Sequence, residues 1–231
     1  MKILVSVRSV EEALLAVAGG ADFIDLKEPG AGALGGLPIA TIRAIVDALR
    51  RHAGGRPVSA TIGDVPMHEA LRIAQCVEAV GGCGVDYVKV GIERVPQARA
   101  VLDLLAASGL PVVPVFIADQ GLDPDHVAHA CALRFPAVMA DTADKRAGSL
   151  FDALPIDQLQ RFVSMVREAG ALVGLAGALR IAHEPLLRAL APDFAGFRTA
   201  VCVADRNSAL DPQRLRELVA RMRGRALVDA G

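Results

Sequence analysis

ILVSVRSVEEALLAVAGGADFIDLK, residues 3–27, carries one complete strand–helix–strand period. The run at 3–7 is apolar and rich in β-branched residues, the composition of a strand covered on both faces. Ser9 followed by Glu12 has the spacing of a capping box, which starts a helix. Leu14, Leu15, Val17 and Ala18 then fall on one helical face, and Gly19-Gly20 stands where a helix ends. A second apolar run, 23–26, follows. Two strands joined by one helix make a parallel βαβ unit. The same period recurs along the chain. Apolar runs lie at 58–62, 87–90, 112–117, 137–140, 172–176 and 194–197. Helical spacing fills the intervals. Pro38 suits the first turn of a second helix whose inward residues are Ile42, Ile45, Val46 and Leu49. Later helices are predicted near 69–80, 96–107, 124–133, 156–169, 182–190 and 212–222. Eight such units predict an α/β fold of the (β/α)8 TIM-barrel type, slightly under the norm of ~250 residues. A doubly wound open sheet is the competing architecture. With no composition shift or linker, 1–231 reads as a single barrel domain.

Composition narrows the function. Hydrophobic residues make up 53% and aromatics 3%, with no Trp, so the core must be aliphatic. A net charge of -1 with no basic stripe argues against nucleic acid and anionic membrane as partners. No apolar run approaches the ~20 residues of a membrane span. The opening residues read as a first strand rather than a signal peptide. Cys76, Cys83, Cys131 and Cys202 form no CxxC pair, which fits reduced thiols in a cytoplasmic protein.

Lysine is scarce: 25 cationic residues comprise 21 Arg and four Lys, at 2, 27, 89 and 145. An Arg stays protonated, whereas a Lys amine can lose its proton and act as a nucleophile. In a barrel, chemistry sits at the C-terminal ends of the strands. Those ends bear Asp25 and Lys27 on the second strand, Thr61 and Asp64 on the third, and Lys89 on the fourth. Asp119 follows the fifth, Asp141 and Lys145 the sixth, Gly177 the seventh and Arg198 the eighth. Asp25 and Lys27 are two apart and share a face. A second amine nearby, from Lys89 or Lys145, would lower the pKa of Lys27. That arrangement suits Schiff-base chemistry, in which one amine attacks a carbonyl and other groups move protons. An ion pair with Asp25 that closes the barrel mouth is the plain structural alternative for Lys89.

The ends of strands seven and eight suit a phosphate. Gly177 allows backbone amides to approach, and Arg198 adds a guanidinium. Residues 30–35, GAGALG, match GxGxxG, but no helix opens there and Asp47 falls inside the next helix. A flexible loop beside Lys27 that folds over a substrate is the better reading. The histidines, His52, His68, His126, His129 and His183, avoid strand ends. No HExxH, Cys/His cluster or GxSxG elbow occurs, so neither a metal nor a cofactor is expected.

The stretch VSVRSVEEALLAVAGGADFIDLKEPGAGALG resembles the opening of the (5-formylfuran-3-yl)methyl phosphate synthase family, also called 4-(hydroxymethyl)-2-furancarboxaldehyde-phosphate synthase. PVSATIGDVP at 57–66, DYVKVG at 86–91, MADTA at 139–143 with Lys145, LAG at 175–177 and GFR at 196–198 are similar too. Ile92-Glu93-Arg94 and the segment 116–120 depart from the family pattern. The resemblance implies a barrel enzyme that joins two glyceraldehyde 3-phosphate molecules into a furan aldehyde phosphate for a methanofuran-type carrier. It implies Lys27 as the Schiff-base lysine and Lys89 as the proton acceptor. Asp25, Asp141 and Lys145 match further active-site positions. Thr61, Asp64, Gly177 and Arg198 are expected to bind substrate or phosphate. A lysine-dependent aldolase acting on another phosphorylated sugar, or a silent barrel that binds a phosphometabolite, are the alternatives. A homo-oligomer is compatible with helices that keep apolar faces outward.

Overall fold

The computed structural model describes residues 1–32, 34–52, 55–144 and 147–224. Eight strands run β1 (Lys2–Val7), β2 (Phe23–Leu26), β3 (Val58–Thr61), β4 (Tyr87–Ile92), β5 (Val112–Ile117), β6 (Ala137–Asp141), β7 (Leu172–Leu175) and β8 (Phe194–Phe197). They form one closed parallel barrel in sequence order. The pairing of β1 with β8, Leu4 opposite Gly196, closes it and removes the open-sheet alternative. Helices α1 (Val10–Ala18), α2 (Ile39–His52), α3 (Ala70–Gly81), α4 (Ala98–Ala107), α5 (Pro124–Ala132), α6 (Leu150–Ala153), α7 (Ile156–Glu168), α8 (Glu184–Leu190) and α9 (Pro212–Met222) occupy the crossovers and the C-terminal side.

Local sequence explains the principal helices. Ser9 accepts the Glu12 N–H and caps α1. Asp123 and Asp211 cap α5 and α9, each followed by Pro at the first helical position. Pro38 lies one residue outside α2 rather than in its first turn; its carbonyl accepts from Ile42. Short elements escaped the periodicity: α6 and single 3-10 turns at Ala118–Gln120, Ile181–His183 and Thr199–Val201. All four follow strands β5 to β8, and none is long enough to show a helical repeat.

The core has two layers. Outward strand residues such as Ile24, Leu26, Val88, Val90, Val138 and Ala140 meet the inner faces of the helices. Leu4, Val113, Val115, Ala137, Met139 and Phe194 pack inside the barrel, with Phe23 and Tyr87 against them. Each buried Leu, Val, Met or Phe side chain there contributes about 1.5–3 kcal/mol. Phe23 and Phe194 lie with ring centroids 5.4 Å apart and plug the N-terminal end. The apolar plug leaves the opposite mouth for polar groups. Among the described residues no helix is long and apolar enough to cross a membrane.

Candidate active site

Strand alternation delivers the site. Inward positions on β2 run Phe23, Asp25 and then Lys27, just past the strand. On β4 they run Tyr87, Lys89 and Gly91, and on β6 Ala137, Met139 and Asp141. Each series passes from apolar at the bottom to charged or open at the mouth. Parallel register places Ser6 opposite Asp25, and Asp25 opposite Ser59. Thr61 stands opposite Lys89. Asp25, Lys27, Lys89 and Asp141 are all buried.

Two lysine–aspartate contacts result. The Lys89 Nζ donates to Asp25 Oδ1 at 2.9 Å. The same oxygen accepts from Ser59 Oγ at 2.6 Å, and Asp25 Oδ2 accepts from Ser6 Oγ at 3.0 Å. Burial pushes the Asp25 carboxyl upward, but the charges of Lys89 and Lys27, with the Ser59 and Lys89 hydrogen bonds, outweigh it. The net direction is below the ordinary carboxylate value, so Asp25 is an anion at neutral pH. The second contact, Lys27 Nζ to Asp141 Oδ2, spans 3.5 Å, the outer limit of a hydrogen bond. Asp141 Oδ1 also accepts the Thr142 N–H at 2.8 Å. Lys27, Lys89, Asp25 and Asp141 line one cavity of about 40 Å³ together with Ser6, Gly177 and Arg198. An open cavity of about 640 Å³ lies beside it, lined by Asp64, Gly63, Glu93 and Arg206 among others.

The remaining predicted residues take varied places. Gly177 lines the small cavity with φ +115°, and a Cβ there would come within 2.9 Å of Thr142 Oγ1. Thr61 is buried, and its hydroxyl donates to the Gly35 carbonyl at 2.9 Å. Asp64 accepts the Leu34 N–H at 2.9 Å while also facing the larger cavity. Both therefore hold the loop after Lys27. Leu34 is buried in the barrel, and Gly32, at φ +101°, passes so close to Asp64 that a Cβ would collide. The loop predicted to be flexible is anchored at these points. Arg198, expected to offer its guanidinium to a phosphate, lines the small cavity with its donors turned to protein. Its Nη1 and Nη2 grip Glu12 at 2.6 and 3.0 Å. Nη1 also donates to the Ser6 carbonyl, Nη2 to that of Ser208, and Nε to that of Arg206. All five N–H groups of the guanidinium are thus engaged by protein. Lys145 lies outside the described residues. Asp119 accepts the Asp144 N–H at 2.9 Å and braces the backbone that leads to it.

Sequence reasoning missed Ser6 and Ser59, the hydroxyls on Asp25. A polar residue at an inward position of an otherwise apolar strand was the available signal. It also read Glu12 only as a capping residue. Its carboxylate accepts the Arg8 N–H, and it is the anion that holds Arg198. Arg206 had no local signal, because its loop has no periodicity.

A barrel mouth with two buried amines, each beside a carboxylate, can be compared with known proteins. The family model described as 4-HFC-P synthase matches residues 3–219. The chain belongs to the 4-HFC-P synthase family. A (5-formylfuran-3-yl)methyl phosphate synthase of Archaeoglobus fulgidus is 37% identical over 240 residues, covering 96% of this chain and 97% of its own. A Methanopyrus kandleri protein of the same name is 37% identical over 221 residues, covering 89% and 92%. Among solved structures, phosphoribosyl anthranilate isomerase from Thermus thermophilus superposes with a TM-score of 0.65 at 20% identity, covering 97% of this chain and 99% of its own. That likeness concerns the barrel fold. For a 4-HFC-P synthase family member, the charged cluster lies at the end of the barrel where such folds place their chemistry.

Proposed function

We propose that this 4-HFC-P synthase family member condenses two glyceraldehyde 3-phosphate molecules into (5-formylfuran-3-yl)methyl phosphate through a Schiff base on Lys27. One phosphate and two waters leave, which balances the atoms of the two trioses. The product would serve a methanofuran-type carrier. The observation that carries this reading is the pair of buried lysines, each beside an aspartate, at one barrel mouth.

The two contacts suggest a proton cycle. Asp25 is an anion, and it accepts from the Lys89 Nζ at 2.9 Å. A neutral Lys27, relieved of its proton toward Asp141, adds to the aldehyde carbon and forms a carbinolamine. Lys89 donates a proton to the carbinolamine hydroxyl, water departs, and the iminium forms. Lys89 is then a neutral amine, able to remove the C–H proton that the iminium has acidified. The enamine electrons expel phosphate from one triose or attack the carbonyl of the second. Asp141 and Lys145 assist the later proton transfers of ring closure and dehydration. Thr61 and Asp64 contribute by shaping the loop over the substrate, and Gly177 offers backbone beside the reacting carbon.

Borohydride added during turnover of glyceraldehyde 3-phosphate should leave a mass increase on the peptide containing Lys27. Product mass and release of inorganic phosphate should appear together. Release of no phosphate, with an adduct still trapped, would favour an aldolase that retains both phosphates. An unchanged adduct in Lys27→Ala would remove Lys27 from the mechanism.

A further inference from the structure

The small cavity around Lys27 has about 40 Å³. That is room for about three water-sized groups, a carbonyl carbon and its neighbours without a phosphate. The phosphate of a triose attached to Lys27 must therefore project toward the open cavity of about 640 Å³. Among the described residues, three line both spaces: Pro29, Thr199 and Arg206. Of these, Arg206 alone carries charge.

Among the described residues, Arg206 is the one Lys or Arg lining the larger cavity, where Asp64, Glu93, Asp144 and Asp205 bring negative charge. In the small cavity the other cations are Lys27, Lys89 and Arg198. Both lysines sit beside aspartates, and the donors of Arg198 are all engaged with protein. Arg206 is half-buried, and its Nη2 donates to the Gly32 carbonyl at 3.2 Å, which points the fork across the mouth toward the loop after Lys27. Burial pulls its pKa down, and the carboxylate of Asp141 opposes that most strongly, so the side chain lies within the field of the Lys27 partner.

The backbone beneath Arg206 is unusually well held. Arg198 Nε donates to its carbonyl at 2.9 Å, and Arg198 Nη2 holds Ser208 at 2.8 Å. Asp205 accepts the N–H groups of Asn207 and Ser208. Val203 N–H to Ala209 carbonyl ties the base of the loop. Glu12, in turn, locks Arg198 with a two-pronged contact. A chain of contacts thus runs from α1 through Arg198 to Arg206, the cation that, among the described residues, lines both cavities.

We propose that Arg206 binds the phosphate of the triose held on Lys27, and that Arg198 is a positioning residue that sets the Arg206 loop. The proposal rests on the Schiff-base reading above. A guanidinium offers two parallel donors to phosphate oxygens, a match that a single ammonium lacks.

The test is borohydride trapping on Lys27, read by peptide mass, with glyceraldehyde 3-phosphate and with unphosphorylated glyceraldehyde as parallel probes. In Arg206→Ala the concentration of glyceraldehyde 3-phosphate for half-maximal trapping should rise at least about tenfold, the scale of one lost charge-assisted contact. The glyceraldehyde dependence should change less than threefold. Arg206→Lys should fall between. An unaltered phosphate-probe curve in Arg206→Ala, with the wild type trapped normally, overturns the assignment while leaving the Schiff base intact. An equal loss with both probes also overturns it, since that would mark a structural role. A wild-type protein that traps neither probe removes the Schiff-base reading and this proposal with it.

Discussion

The two lysine–aspartate contacts differ in length and in support. Lys89 and Asp25 meet at 2.9 Å, and two serine hydroxyls also donate to Asp25. Lys27 and Asp141 meet at 3.5 Å. The first is a supported ion pair between adjacent regions of β2 to β4, fixed by strand register. The second spans the barrel from β2 to β6 and sets no strong hydrogen bond. A lysine that must attack a carbonyl needs to lose its proton and move. A lysine that supplies and then recovers a proton needs a fixed position. In the proposed mechanism these demands fall to Lys27 and Lys89 respectively.

Substitutions can break this contrast. Lys27→Ala should have the largest effect, eliminating both the borohydride adduct and turnover, as read by mass and product assay. Lys89→Met should lower kcat by about 10²–10⁴-fold while trapping at Lys27 persists in part. It should also cost about 3–5 kcal/mol in urea denaturation, because it strips a buried carboxylate of its closest cation. Asp141→Asn should cost less than Lys89→Met, since it leaves an amide in place of the carboxylate and the Lys27 contact is long. A larger loss there than in Lys89→Met would reverse the contrast.

Acid titration sharpens it. The folded pKa of Asp25 lies below its ordinary 3.8, so its contribution to stability is complete well above that value. The contribution declines as pH falls through 3.8 toward the folded pKa, where the native carboxylate also takes a proton. The stability gap between wild type and Asp25→Asn should therefore narrow below pH 3.8, measured by denaturant midpoints. The smallest effect should come from Ser59→Ala, about 1 kcal/mol, with the Asp25 contribution lost at a higher pH than in the wild type.

Much of the fold was legible because it rests on local repetition. The apolar runs, the Ser9, Asp123 and Asp211 caps and the alternation through Phe23, Asp25 and Lys27 are properties of neighbouring residues. The strand-end position of Lys89 and Asp141 was legible for the same reason. The role of Arg198 was not. A guanidinium after the last strand has the same sequence signature whether it faces substrate or protein. Its use is decided by Glu12, 186 residues away. Thr61 and Asp64 likewise face a loop about 26 and 30 residues earlier, which no spacing rule connects to them.

The sequence by itself determined the eight-unit alternation, the aliphatic core and the placement of Lys27 and Lys89 at strand ends, since side-chain period and burial follow from local pattern. The tertiary structure alone decided which lysine meets which aspartate and at what distance. It also decided which arginine is locked in the scaffold and which stands between the two cavities. Those outcomes depend on barrel closure and strand register, which bring residues far apart in the chain within hydrogen-bonding range.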